Sequence, residues 1–186
     1  MLEPWKTISS ERLLNNKFTA IRRDTCLLPN GTVIDDYFVV EKRNVAVVFA
    51  VTTTNRVILV RQYRHGIGRV ELSLPGGFLE PGEDPQEGAR RELREETGYD
   101  TADIEHLATM IAEPSGSNYW VHVFLARSAK LVGDQHLDET EDLSVELAPC
   151  SEIVDLIARG EIRVQSSVAG IFLALERLRE KGGKAK

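Results

Sequence analysis

The chain has 186 residues, 42% apolar and 28% charged, with 23 Lys and Arg against 29 Asp and Glu for a net charge of −6. That length suits one domain with a small appended piece, and the composition excludes a disordered or fibrous chain. The acidic balance argues against a nucleic-acid partner, which needs a basic footprint, and the longest apolar run, Val45 to Val51, is too short to span a membrane. The opening Met-Leu-Glu-Pro-Trp-Lys carries no secretory pattern, and Cys26 and Cys150 cannot build a disulfide framework, so a cytoplasmic location is expected.

Phe18 to Leu28 and Thr32 to Val40 read as strands of a hairpin turning at Pro29-Asn30-Gly31. Lys42-Arg43-Asn44 interrupts, which divides the chain into an N-terminal β subdomain, 1–43, and a main domain, 44–186. Val45 to Thr52 and Val57 to Gln62 read as buried strands joined at Thr53-Thr54-Asn55. A loop rich in Gly and Pro (Pro75, Gly76, Gly77, Pro81, Gly82) leads into a helix. Asp84 caps that helix, Pro85 suits its first position, Glu87 lies three after the cap, and Gly98 stops it. Leu107 to Ala112 and Tyr119 to Ala126 read as strands around Pro114-Ser115-Gly116. Ser151 to Arg159 and roughly Ser166 to Lys181 read as helices. The order indicates an α+β chain or a helix–sheet–helix sandwich.

The negative charge is concentrated in two places. Residues 77–99 hold seven acids and three arginines, and residues 134–146 hold six acids and no base. In the first cluster Glu92 and Glu96 are four apart, and so share a helix face beside the apolar stripe of Ala89 and Leu93. Glu95 follows Glu92 by three, and Arg91 precedes Glu95 by four. Carboxylates this close repel one another unless cations compensate, and hard cations favour several carboxylate oxygens together. The glycines before the helix would let main-chain carbonyls approach such an ion. An ordinary charged helix surface is the competing reading.

Gly77, five residues, Glu83, seven residues, then Arg91-Glu92-Leu93-Arg94-Glu95-Glu96-Thr97-Gly98-Tyr99 resembles the Nudix box, with Tyr99 where an aliphatic residue is usual. Arg61-Gln62-Tyr63-Arg64, Pro114 fifteen residues after Tyr99, and Asp138-Glu139-Thr140-Glu141-Asp142-Leu143 resemble elements of the ADP-ribose pyrophosphatase branch. Ser73 stands where that branch often carries a glutamate. The resemblance implies an α+β Nudix fold, an α/β/α sandwich around a mixed β-sheet with an N-terminal antiparallel hairpin subdomain. It also implies magnesium-dependent hydrolysis of ADP-ribose, or a related nucleoside diphosphate sugar, to AMP and ribose 5-phosphate, with manganese able to replace magnesium.

By the same resemblance Glu92, Glu96 and the carbonyl of Gly76 are metal ligands, with Glu141 as a further contact. Glu95 assists, and Glu83 with Arg91 forms an orienting ion pair. Glu139 on the mobile acidic loop is the expected general base, with Glu141 as its competitor. Arg64 is the expected phosphate clamp, with Lys42 or Arg43 adding another cation, and Pro114 marks the substrate class. Phe18 and Tyr37 would stack on adenine, or else pack within the hairpin. Trp5 and Trp120 read as packing residues. The N-terminal strands would pair across a homodimer. The alternatives are another sugar nucleotide such as GDP-mannose, a dinucleotide, or a non-catalytic ADP-ribose sensor.

Overall fold

A computed structural model describes residues 2–17 and 19–183, with side chains to residue 180. Its strands are β1 Lys6–Asn15, β2 Ala20–Leu27, β3 Val33–Glu41, β4 Val45–Thr52, β5 Arg56–Arg64, β6 Arg69–Ser73, β7 Gly76–Phe78, β8 Tyr99–Asp100, β9 Ile104–Ile111, β10 Trp120–Leu131 and β11 Leu143–Pro149. Its α-helices are α1 Pro85–Thr97, α2 Ile153–Ala158 and α3 Gln165–Gly183. By internal packing the chain forms two units, Met1–Asn44 with Ile111–Trp120, and Val45–Met110 with Val121–Lys186.

The first unit is the antiparallel sheet β1-β2-β3 with the segment 111–120 laid against it. The β2–β3 hairpin turns at Pro29-Asn30-Gly31 as expected, because Gly31 takes φ 86° and its N–H closes the turn on Leu28 O at 2.9 Å. The strand β1 was not anticipated. It carries Lys6, Glu11 and Arg12, shows no alternating apolar pattern, and is exposed along all ten residues. Ion pairs knit the three strands: Arg12 to Glu41 at 2.7 Å, Arg22 to Glu41 at 2.6 Å, and Arg22 to Asp24 at 2.9 Å. Segment 111–120 joins through Val40 N–H to Gly116 O at 2.8 Å and Tyr37 Oη–H to Ser115 O at 2.7 Å.

The second unit is built on a mixed sheet ordered β11-β5-β4-β10-β8, with β6 on β5, β7 on β4 and β9 on β10. β10 runs parallel to β4, and β5 and β7 run antiparallel to it. Side chains alternate across a strand. Ala46, Val48 and Ala50 of β4, with Phe124 and Ala126 of β10, therefore pack on one face against Ala89 and Leu93 of α1 and Leu79 of the loop before it. Val123 turns to the other face, where it packs beside Gly170 of α3. There a Cβ on Gly170 would stand 3.3 Å from Val123 Cγ1 and 3.2 Å from Leu74 Cδ1. Leu74 N–H also donates to Ser167 Oγ of α3 at 3.0 Å. The mixed sheet thus lies between α1 and α3, the sandwich expected from the sequence. Each fully buried large side chain, such as Phe49, Leu59 and Ile171, contributes roughly 1.5–3 kcal/mol through removal from water.

Candidate active site

The helix α1 is fixed at both ends by local chemistry. Asp84 Oδ1 accepts from the N–H groups of Gln86 at 2.9 Å and Glu87 at 3.2 Å, and Pro85 occupies the first turn. Gly98, at φ 73°, donates its N–H to Arg94 O at 2.9 Å. Ala89 and Leu93 sink into the sheet, and this orientation carries Glu92 and Glu96 inward with them. They are only 8% and 3% exposed.

The glycines ahead of α1 make room for those carboxylates. β7 pairs with β4 so that Gly76 lies opposite Val47 and Gly77 opposite Ala46. Gly76 adopts φ 149°, and a Cβ there would collide with the carbonyl of Ala46. A Cβ on Gly77 would fall 2.6 Å from Glu92 Oε2. Gly76 N–H donates to Glu96 Oε2 at 2.7 Å, which joins the turn to the helix.

Arg91 organises the remaining acids. Its guanidinium grips both oxygens of Glu83, at 2.8 and 2.9 Å, and reaches Glu92 Oε1 at 2.7 Å, Glu95 Oε2 at 2.9 Å and Phe78 O at 3.2 Å. Glu83 Oε2 also accepts from Glu80 N–H at 2.8 Å. A planar fork making this many bonds fixes three carboxylates at once, which a lysine could not do. Arg91 is consequently held even more firmly protonated than usual, chiefly by its hydrogen bonds to Glu83.

Burial pushes the carboxyl of Glu92 above its ordinary range, against the opposing pull of Arg91. Glu96 is pushed up to about 8, first by burial, opposed by the Gly76 N–H, then raised by the charges of Glu92 and Glu141 and lowered by Arg64. The acidic turn therefore lies within electrostatic reach of both buried acids, and the end of β5 within reach of Glu96.

Two buried carboxylates beside a glycine turn form a donor set of hard oxygens short of positive charge. That fits a divalent cation, whose binding would displace the proton that burial favours. Among the described residues no three His, Cys, Asp or Glu side chains are grouped so as to hold a metal ion by themselves. Main-chain oxygens, water and substrate phosphate would have to complete any coordination shell, as small hard cations tolerate.

The structure brings together Gly76, Glu83, Arg91, Glu92, Glu95 and Glu96, with Glu141 and Arg64 as charged neighbours of Glu96. Glu139 sits exposed on the turn at 139–140, and Glu141 Oε2 accepts from Asp138 N–H at 3.1 Å. Tyr37, Arg43 and Pro114 belong to the first unit. There Pro114 is exposed, and the ring of Tyr37 meets Trp5 edge-on at 5.8 Å. Phe18 lies outside the described residues. Trp5, read from sequence as a packing residue, is half exposed beside Tyr37. The sequence reading also passed over Gln135, whose Nε2 donates to Glu96 O at 2.6 Å, because a bond to a main-chain carbonyl leaves no spacing to detect.

The sequence profile of the NUDIX domain matches residues 41–167, which includes every residue of this cluster. The chain belongs to the Nudix hydrolase family. Hydrolases of this family generally work with a divalent cation, in keeping with the donor set described above. A second profile, the nucleoside diphosphate sugar hydrolase N-terminal domain, matches residues 5–40. This Nudix hydrolase is 34% identical over 171 residues to the ADP-ribose pyrophosphatase of Mycobacterium tuberculosis, covering 90% of this chain and 82% of that protein. It is 31% identical over 173 residues to the methanol dehydrogenase activator of Bacillus methanolicus, covering 92% and 93%. A crystal structure of an ADP compounds hydrolase superposes with a TM-score of 0.85 at 22% identity, covering 98% of each chain, and so shares the fold.

Proposed function

We propose that this Nudix hydrolase cleaves the diphosphate of ADP-ribose, or of a closely related nucleoside diphosphate sugar, giving AMP and ribose 5-phosphate from ADP-ribose. The observation that carries this reading is the pair of buried carboxylates, Glu92 and Glu96, held by Gly76 and Arg91 within electrostatic reach of Glu141. The N-terminal sugar-hydrolase profile and the M. tuberculosis relative support the substrate class.

Glu92, Glu96 and the carbonyl of Gly76 would hold magnesium, with manganese as a substitute and Glu141 as an added ligand. The bound ion supplies positive charge that neutralises phosphate oxygens and makes a coordinated water easier to deprotonate. Arg64, exposed at the end of β5 and an electrostatic neighbour of Glu96, draws the diphosphate into line over the carboxylates. Glu139, or Glu141 two residues on, takes the proton from the attacking water as it adds to phosphorus, with no covalent enzyme intermediate. Arg91 and Glu83 keep the ligand carboxylates aimed throughout, with Glu95 assisting.

Phe18 and Tyr37 are the aromatic residues proposed to stack on the base, with Arg43 as an added cation for the substrate. Ile8, Leu13 and Leu14 are three exposed apolar side chains on a strand, β1, whose outer edge has no partner among the described residues, which supports a homodimer formed through the N-terminal strands. Two free cysteines, Cys26 and Cys150, suit the reducing cytoplasm. No helix among the described residues is long and apolar enough to cross a membrane.

A panel of ADP-ribose, GDP-mannose and a dinucleotide, read by phosphate release after phosphatase treatment, tests the substrate. The expected result is the highest kcat/KM for ADP-ribose; a clear preference for GDP-mannose would replace the substrate assignment.

A further inference from the structure

Three carbonyls at the C-terminal end of α1 are met by one short stretch of chain. Val132 N–H donates to Gly98 O at 2.9 Å, Gln135 Nε2 to Glu96 O at 2.6 Å, and His136 N–H to Glu95 O at 2.8 Å. The two tracks run so close that a Cβ on Gly98 would strike the carbonyl of Gly133. The last carbonyls of a helix lack partners within it, and elsewhere water or a capping loop supplies them. Here the partners come from the segment that leads into the acidic turn, and two of the carbonyls belong to Glu95 and Glu96 themselves.

From His136 the chain has six residues before β11 begins at Leu143, opposite Gln62 of β5. Within that span Glu141 N–H closes on Asp138 O at 2.9 Å and Asp138 N–H on Glu141 Oε2 at 3.1 Å. The turn is thus suspended between two anchors, one on the active-site helix and one on the sheet. The charge of Glu141 reaches both Glu92 and Glu96 from this position. Of the bonds at the first anchor only the one from Gln135 uses a side chain, so it alone depends on residue identity.

We propose that Gln135 is a positioning residue, whose amide bond to the Glu96 carbonyl fixes the acidic turn relative to the helix that carries Glu92 and Glu96. It touches neither site carboxylate and acts through the loop. The inference rests on the reading that the carboxylates of this turn work in hydrolysis.

The test uses the full chain with Gln135→Glu, which is isosteric but loses the donor, and Gln135→Lys, which keeps one. Amide hydrogen exchange across 134–143 is compared with that across α1, and kcat and KM for ADP-ribose are measured with magnesium. Gln135→Glu is expected to speed exchange across 134–143 roughly tenfold and leave α1 and the melting temperature as in the parent. It should also lower kcat roughly fivefold to tenfold with KM nearly constant, since one lost hydrogen bond is worth about that ratio. Gln135→Lys should recover both exchange and kcat. Unchanged exchange across 134–143 overturns the proposal, as does faster exchange with kcat unchanged. Faster exchange in α1 with a lowered melting temperature also overturns it, because Gln135 would then be supporting the helix rather than the loop. If the parent protein does not hydrolyse ADP-ribose, the functional reading fails, while the exchange comparison still decides whether Gln135 fixes the turn.

Discussion

Glu96 places a carboxylate where the fold leaves almost no water to solvate it, and its hydrogen bond from Gly76 only partly compensates. Its folded-state carboxyl titrates near 8, well above an ordinary glutamate. Between about pH 4.5 and 8 the folded protein therefore holds a proton that the unfolded chain has lost. In EDTA this group's contribution to stability is present at low pH and declines as pH rises through that window. With magnesium present the cation replaces the proton and that decline should flatten. Thermal melts from pH 5 to 8.5, with EDTA and with magnesium, check both signs; parallel curves would remove the divalent site from Glu96. Arg91 shows the complementary case, in which one cation already present in the chain satisfies Glu83 and parts of Glu92 and Glu95.

The glycine turn and α1 act together as one element. Gly77→Ala would drive a methyl to within 2.6–2.7 Å of all three atoms of the Glu92 carboxylate, so that side chain must move. The expected outcome is at least a hundredfold loss of kcat with weaker manganese binding by paramagnetic resonance, and a melting temperature within a few degrees of the parent's. A fully active Gly77→Ala enzyme would show that Glu92 is not held where activity needs it. Most of this element was legible in the sequence, because caps, helix spacing and glycine turns are local chemistry. Asp84, Pro85, Gly98 and the Glu92–Glu96 pair all stand as their spacing implied. The tie from Gln135 was not legible, since any donor of that length in that place could make it.

At the scale of the whole molecule, legibility followed how local each partnership is. The apolar strands β4 and β5 declare themselves by composition, whereas β11 reads as part of an acidic loop until it is seen paired to β5, some 80 residues earlier. The strand β1 hides for a different reason: neither of its faces is buried in a single chain, so no period of two appears in its residues. That same exposure leads to a prediction about assembly. Light scattering should give twice the 20.8 kDa chain mass, and Ile8→Glu combined with Leu14→Glu should shift it toward the single-chain mass. A 20.8 kDa species for the parent at working concentration would leave β1 without its proposed cover.

The two charge clusters of the sequence converge in the folded chain, where Glu141 from the second acts on Glu92 and Glu96 of the first. Magnesium titration of ADP-ribose hydrolysis by the parent and by Glu96→Gln tests most directly whether that convergence is a working metal centre. The amide of glutamine can still accept the Gly76 N–H bond, so the fold should persist with an unchanged or higher melting temperature. The expected result is saturable activation of the parent by magnesium and a loss of kcat of about a thousandfold or more in Glu96→Gln, in the range seen when a metal or transition-state contact is removed. Equal activity of the two proteins at every magnesium concentration would contradict it.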